Sequence, residues 1–230
     1  MKHISTLSHI PILLFALSAF PLESQAQQIT VNFTATVRSV DDIGGLLSGE
    51  INPGDTFTGH YTYNASTPDS EISESIADYW HTGPEYGISI DVSGFTFKTN
   101  PSNTNFLIET INDYQGMDHY VLHSYNNLFS TSVSGTADNM ISWQLNDPTM
   151  TALESTDLTE YPPTIADWLI PEFGPGLDIS SSGGSPFFFL IRSDITSIAV
   201  IPEPSSYCFS VGIATGLWAA LRRRRSLTRR

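Results

Sequence analysis

An all-β fold, a single antiparallel β-sandwich of jelly-roll type, is the class that this sequence predicts for its central part. Three observations carry the prediction. Residues 27–200 are rich in Thr, Ser, Gly and aromatic side chains and poor in Lys, Arg and Ala, a composition suited to pleated, half-buried surfaces rather than helices. Apolar and polar residues alternate with a period of two over several stretches. Clusters of Asn, Pro, Gly, Asp and Ser separate those stretches as turns.

Taken in order, Ile29 to Val40 places Ile29, Val31, Phe33, Ala35 and Val37 on one face and Thr30, Asn32, Thr34, Thr36 and Arg38 on the other, a strand with one wet face. After the turn Asn52-Pro53-Gly54-Asp55, Phe57, Gly59, Tyr61 and Tyr63 alternate with Thr56, Thr58, His60 and Thr62. Asp69 to Tyr79 carries four acids and an irregular Ile72, Ile76 spacing, which predicts a loop with one helical turn. Ile88, Ile90 and Val92 resume the alternation, and Ser93-Gly94 leads into Phe95 and Phe97. Further strands are expected over Asn105 to Ile111, His119 to Tyr125, Met140 to Leu145, Phe187 to Arg192 and Ile195 to Val200. Leu153 to Gly176, with Pro162, Pro163, Pro171 and Pro175, reads as a long connection holding at most a short helix over Ile165 to Ile170. The 174 positions of residues 27–200 suit one domain with a substantial core.

The two ends are of another kind. Residues 1–26 run from Lys2 through the apolar stretch Ile10 to Phe20 to Ser24-Gln25-Ala26, small residues placed as a signal peptidase reads them. Pro11 and Pro21 bracket the stretch, and no face of it is polar, which argues against a core helix. A secretory signal peptide is therefore expected, with an exported chain starting near Gln27. At the other end, Pro202-Glu203-Pro204 precedes fifteen uncharged residues, Tyr207 to Leu221, and then Arg222, Arg223, Arg224 and Arg225. A helix of that length covers about 22 Å of a hydrocarbon core roughly 30 Å thick. Ser205, Ser206 and the snorkelling stems of Arg222 and Arg223 bring it close to spanning, and the positive-inside preference makes the arginines a cytoplasmic anchor.

This order of Pro202-Glu203-Pro204, short apolar helix and arginine cluster resembles the PEP-CTERM sorting signal of bacterial exported proteins. The resemblance covers residues 201–230. It implies cleavage near Pro202 by an exosortase, an integral-membrane transpeptidase-like enzyme, in a Gram-negative-type envelope and an exopolysaccharide setting. Gly212, Ala214 and Gly216 offer a small-residue face for close approach to such an enzyme. Leu47 to Tyr61, followed by Thr67-Pro68-Asp69-Ser70, is similar to the β-rich ectodomain of many PEP-CTERM proteins, which supports the fold and assigns no activity.

Charge narrows the partners. The whole chain carries −14, but residues 27–200 hold 22 acids against Arg38, Lys98 and Arg192, leaving −19. A body this acidic repels phosphate backbones, so no nucleic-acid partner is expected, and it reaches an anionic exopolysaccharide through bridging divalent cations. The one cysteine, Cys208, excludes an internal disulfide and reads as an inert thiol in the apolar tail.

Motifs for catalysis are absent. Gly87-Ile88-Ser89-Ile90-Asp91 comes nearest to a nucleophile elbow, fails at its last position and lies in a strand, so Ser89 reads as a surface residue. His119 and His123, four apart in a strand, leave the same face about 13 Å apart and cannot share a metal. Asn112, Asp113 and Asp118 flank the Gly116 turn, and Asp69, Glu71, Glu74 and Asp78 share a loop. Hard oxygens on loops suit calcium, which makes Asp113 and Asp118 candidate ligands of a structural ion, with no other cofactor expected. Tyr79-Trp80-His81 with Tyr86, or Trp168, are candidate aromatic platforms for a sugar. A flat array built on Thr30, Thr34 and Thr36 or on Thr56, Thr58 and Thr62 would be needed for an ice-binding surface, a property of some proteins with this tail. The reading that results is a non-enzymatic exported surface or matrix protein. Its alternative is an extracellular carbohydrate-binding module or glycoside-active enzyme, which a groove with facing carboxylates and aromatic platforms would favour.

Overall fold

The computed structural model describes residues 28–130, 138–159, 164–168, 176–183 and 187–201. The expected signal peptide and everything from Pro202 onward, including Cys208 and the arginine cluster, lie outside these residues. Eleven strands form a single hydrogen-bonded sheet: β1 (Gln28–Asp41), β2 (Thr56–Asn64), β3 (Ile76–His81), β4 (Gly87–Val92), β5 (Phe95–Lys98), β6 (Asn105–Tyr114), β7 (Met117–Tyr125), β8 (Leu128–Phe129), β9 (Asp138–Asp147), β10 (Gly176–Ser182) and β11 (Phe187–Ile201). Their order across the sheet is β3-β6-β7-β9-β10-β11-β1-β2-β4-β5-β8, and every pairing is antiparallel. Among the described residues the helical structure is one 3-10 turn, Ile165–Asp167.

The long strand β1 runs between β2 and β11, and its inward residues Val31, Phe33, Ala35 and Val37 are buried as their alternation requires. Bulges against β11 between Thr34 and Ala35, and again between Val37 and Ser39, add local bend and twist. Five strand spacings separate β2 from β7, about 24 Å on a flat sheet. Yet the Tyr61 and Tyr120 hydroxyls lie 3.2 Å apart, and Trp143 of β9 meets Tyr61 at 5.4 Å and Phe33 at 5.2 Å between ring centroids. The sheet is therefore strongly curled, with its core inside the curl. At one corner the edge strand β3 reaches β2: the Asn64 N–H donates to His81 Nε2 at 3.1 Å.

Gly59 is where the curl leaves no room for a side chain. A Cβ there would stand 2.4 Å from Phe33 Cζ and 2.8 Å from the Ser89 carbonyl oxygen.

Three elements differ from expectation. Residues 76–81 form strand β3, where a loop with a helical turn was expected. The inward positions Ala77, Tyr79 and His81 alternate correctly, but one is small and one polar, so the hydrophobic period is faint. Strand β10 is unforeseen because its inward face passes from Leu177 and Ile179 to Ser181, a buried hydroxyl bonded to Asn139 Oδ1. The two segments expected at Phe187 to Arg192 and Ile195 to Val200 are one continuous strand, β11.

Candidate functional site

The outer surface of the curl differs between its two halves. On β11, β1, β2 and β4 it is polar: Asn32, Thr34, Thr58, His60, Ser89 and Asp91 line a shallow depression of about 350 Å³. Thr30, Thr34 and Thr36 do pair across the strands with Thr62, Thr58 and Thr56, but the Asn32–His60 pair interrupts the array and Thr62 is buried. Ser89 lies on this outer face between His60 and Lys98, as a strand surface residue would.

On β3, β6, β7 and β9 the outer face carries apolar residues of its own. Leu107 and Val121 are only 6% and 5% exposed, yet neither belongs to the cluster inside the curl. Leu107 stands between Trp80 and His123 across the strands, and Val121 between Glu109 and Gln144. Trp80, 40% exposed, stacks on Tyr125 with centroids 6.3 Å apart and 26° between planes. Tyr125 stacks in turn on His123 at 5.8 Å and 28°. Beside this aromatic row runs a groove of about 460 Å³ lined by Glu109, Tyr114, His119, Val121, His123 and Gln144.

Electrostatics concentrate at one pair. Asp78 and Glu109 are direct cross-strand partners on this face, where like charges repel. Burial raises the Glu109 pKa, and the hydrogen-bonded Asp78 carboxylate and the charge of Glu71 raise it further. The buried Oδ1 of Asp78 has no hydrogen-bond partner among the described residues. On the same face burial lowers the His123 pKa, the Asp78 charge opposing it, and the buried Nδ1 of that ring has no hydrogen-bond partner. His119 instead donates through Nδ1 to Asn146 Oδ1, which also accepts from Gln144 Nε2 at 2.7 Å. The site thus combines an aromatic surface, an apolar floor and a pair of adjacent carboxyl groups. Glycoside hydrolysis needs two carboxyl groups standing apart across a substrate, whereas Asp78 and Glu109 are immediate cross-strand neighbours.

Of the aromatic residues singled out in the sequence, Trp80 is the one exposed on this face. Tyr79 is buried, its hydroxyl donating to the Thr156 carbonyl at 2.8 Å and accepting from the Leu158 N–H at 3.1 Å. His81 is buried against Tyr63, Tyr86 and Phe106, and burial lowers its pKa. Trp168 packs on Tyr120 at 6.5 Å, closing the long connection over the core.

The two candidate calcium ligands are in contact, but through a backbone group. The N–H of Asp113, a residue at φ +54°, donates to Asp118 Oδ1 at 2.9 Å. The other oxygen of Asp118 accepts from the Ala152 and Leu153 N–H groups at 3.1 and 3.0 Å, and the residue is fully buried. Asp147, opposite Asp118 across the strands, ties down the same loop. Its oxygens accept from the N–H and Oγ1 of Thr149, the N–H and Oγ1 of Thr151 and the Ala152 N–H. These carboxylates accept from backbone N–H groups and threonine hydroxyls and act as a clasp for residues 149–153. Among the described residues no group of three or more His, Cys, Asp or Glu side chains is gathered for a metal.

The pattern reading missed Glu109, Tyr125 and the role of His123. A signal for them was present: Phe106-Leu107-Ile108 and Tyr120-Val121-Leu122 are runs of three apolar residues, which on a strand means that both faces carry apolar groups.

Compared with protein-family models, curated proteins and solved structures, the chain matches none.

Proposed function

We propose that this chain is a non-enzymatic exported protein of the cell surface or extracellular matrix, delivered through PEP-CTERM-type sorting. The supporting observation is how the last described strand runs up to the motif. Strand β11 stays in register with β1 up to the pair Thr30–Ile201, and Pro202, which has no N–H to donate, follows at once. Gln28 and Ile201 lie on neighbouring strands at one corner of the described sheet, a placement in keeping with the two end segments read as export and sorting signals.

In this reading residues 1–26 direct export. The tail holds an inner-membrane precursor through its apolar helix and through Arg222, Arg223, Arg224 and Arg225 in the cytoplasm. An exosortase-type enzyme recognises Pro202, Glu203 and Pro204 and releases the body. The body is a sandwich of jelly-roll type made by one sheet folding on itself, a form that contacts such as Phe33–Trp143 support. Its acidic surface keeps it soluble and reaches anionic exopolysaccharide through divalent cations, a calcium ion near Asp113 among them.

The test is the intact mass of protein recovered from the host's cells and medium, beside a variant with Pro202, Glu203 and Pro204 replaced by alanine. Loss of the tail after about residue 200 in the parent and its retention in the variant is the expected result. A tail retained in both would leave a simple membrane-anchored protein and end the sorting proposal. The second reading, an extracellular carbohydrate-binding module, is favoured by the aromatic row Trp80–Tyr125–His123 beside the Asp78–Glu109 pair.

A further inference from the structure

We infer that the outer face of β3, β6 and β7 binds amino-sugar units of a polysaccharide, the pyranose ring lying against Trp80 and Tyr125 and the ammonium group seated at Asp78 and Glu109. The inference deepens the carbohydrate-binding reading and does not depend on how the tail is processed.

Three observations carry it. First, an outer sheet face has no folding reason to bury apolar groups, yet Leu107 and Val121 are buried there beneath an aromatic row, outside the core cluster. An apolar floor with stacked rings at its edge is what the C–H face of a sugar ring fits. Second, two buried polar atoms on this face have no partner among the described residues, Asp78 Oδ1 and His123 Nδ1. The first calls for a donor, and the second is free to meet a hydroxyl. Third, the charge is uncompensated. Of the three basic residues in the body, Arg38 pairs with Asp194 at 3.1 Å, Arg192 pairs with Asp41 at 2.9 Å, and Lys98 stands opposite Ser89 on the other half of the sheet.

Charge then selects among sugars. An anionic unit would be repelled by Asp78 and Glu109 together with the nearby charge of Glu71. A neutral unit would supply the stacking and a hydroxyl donor but leave the acidic charge unbalanced. A free 2-amino group supplies the ring, the donors and the charge together, and aromatic faces add attraction for a cation.

The test is calorimetric titration of the full-length chain in mild detergent at about 0.15 M salt, where long-range attraction is screened. The titrants are hexamers of glucosamine, N-acetylglucosamine and glucose, with hexalysine as a cation lacking a sugar ring. The glucosamine hexamer is expected to bind about ten-fold or more tightly than the other three. Trp80→Ala and Asp78→Asn should each weaken it about ten-fold, while Asp91→Asn, on the polar half of the outer surface, leaves it unchanged.

Equal binding of hexalysine, or equal loss in Asp91→Asn and Asp78→Asn, would mean that bulk charge alone is read and would overturn the site. Equal binding of the acetylated or glucose hexamer would overturn the amino-sugar assignment, and no binding at all would end the inference. If Trp80→Ala fails to melt cooperatively, saturation-transfer NMR on the parent protein decides. Transfer from aromatic protons to the sugar ring protons is then required, and its absence refutes the stacking.

Discussion

Replacing Asp147 by Asn is the sharpest probe of what holds the long connection over the core. The carboxylate accepts five hydrogen bonds at 2.6–3.2 Å: two from Thr149, two from Thr151 and one from Ala152. An asparagine can keep its single oxygen toward the Thr149 pair. Its amide must then face the Thr151 and Ala152 N–H groups, donor against donor. The Ala152 N–H keeps its bond to Asp118 Oδ2, but the Thr151 N–H loses its acceptor, and this loss with the charge removed from the remaining bonds costs about 2 kcal/mol. Relief of repulsion from Asp118, the cross-strand partner, returns about 0.5 kcal/mol. The net loss of about 1.5 kcal/mol lowers the melting temperature of a body this size by roughly 3–6 °C. Burial by itself would raise the Asp147 pKa, but the hydrogen bonds from Thr149 and Thr151 outweigh it and hold the group at about 2. A depressed folded-state pKa means that this contribution is present above the unfolded value of 3.8 and is lost as pH falls toward 2. Urea unfolding followed by near-ultraviolet circular dichroism should therefore show the full difference at neutral pH and a shrinking one below about pH 4. A variant within about 0.5 kcal/mol of the parent at pH 7 would refute the clasp, as would a deficit that does not narrow on acidification.

Three further predictions follow from single contacts. Tyr61→Phe should cost about 1–2 kcal/mol by orphaning the buried Tyr120 hydroxyl, while the Tyr61→Phe/Tyr120→Phe pair should cost less than the sum of the singles. Additivity in that unfolding cycle would mean that the 3.2 Å contact joining the two walls of the curl carries no coupling. Gly59→Ala should lose about 2–3 kcal/mol in the same assay, because its Cβ meets both the Phe33 ring and the Ser89 carbonyl. For Glu109 the folded-state pKa is raised by burial first and Asp78 second. Its stabilising contribution is therefore complete below the unfolded value of 4.5 and is lost as pH rises through the folded value. Glu109→Gln should lack that decline, and parallel pH slopes for parent and variant across the window would contradict a raised pKa at Glu109.

Strands whose inward residues are large and apolar could be read directly: Val31, Phe33, Ala35 and Val37 in β1, or Phe57 and Tyr61 in β2, mark their faces by alternation alone. Where the inward positions are Ala77 and His81, or Ser181, the buried face is made by hydrogen bonds from distant residues, and the pattern is silent. Site residues follow the same division. Asp118 stood out as an acid beside a tight turn, but its partners, the Ala152 and Leu153 N–H groups, lie more than thirty positions away. Nothing local shows that Asp118 accepts from those distant backbone groups.

By itself the sequence determined the all-β class, most strand positions, the acidity of the body and the composition of the two end segments, because each depends on the order of residues along a short stretch. Tertiary structure alone decided that eleven strands join in one curled sheet, that Tyr61 meets Tyr120, and that Asp78, Glu109, Trp80, His123 and Tyr125 gather on one outer face. Those juxtapositions depend on which strands pair and in what register. Register is set by the burial of whole faces across the sheet, a sum over contacts that no local window contains.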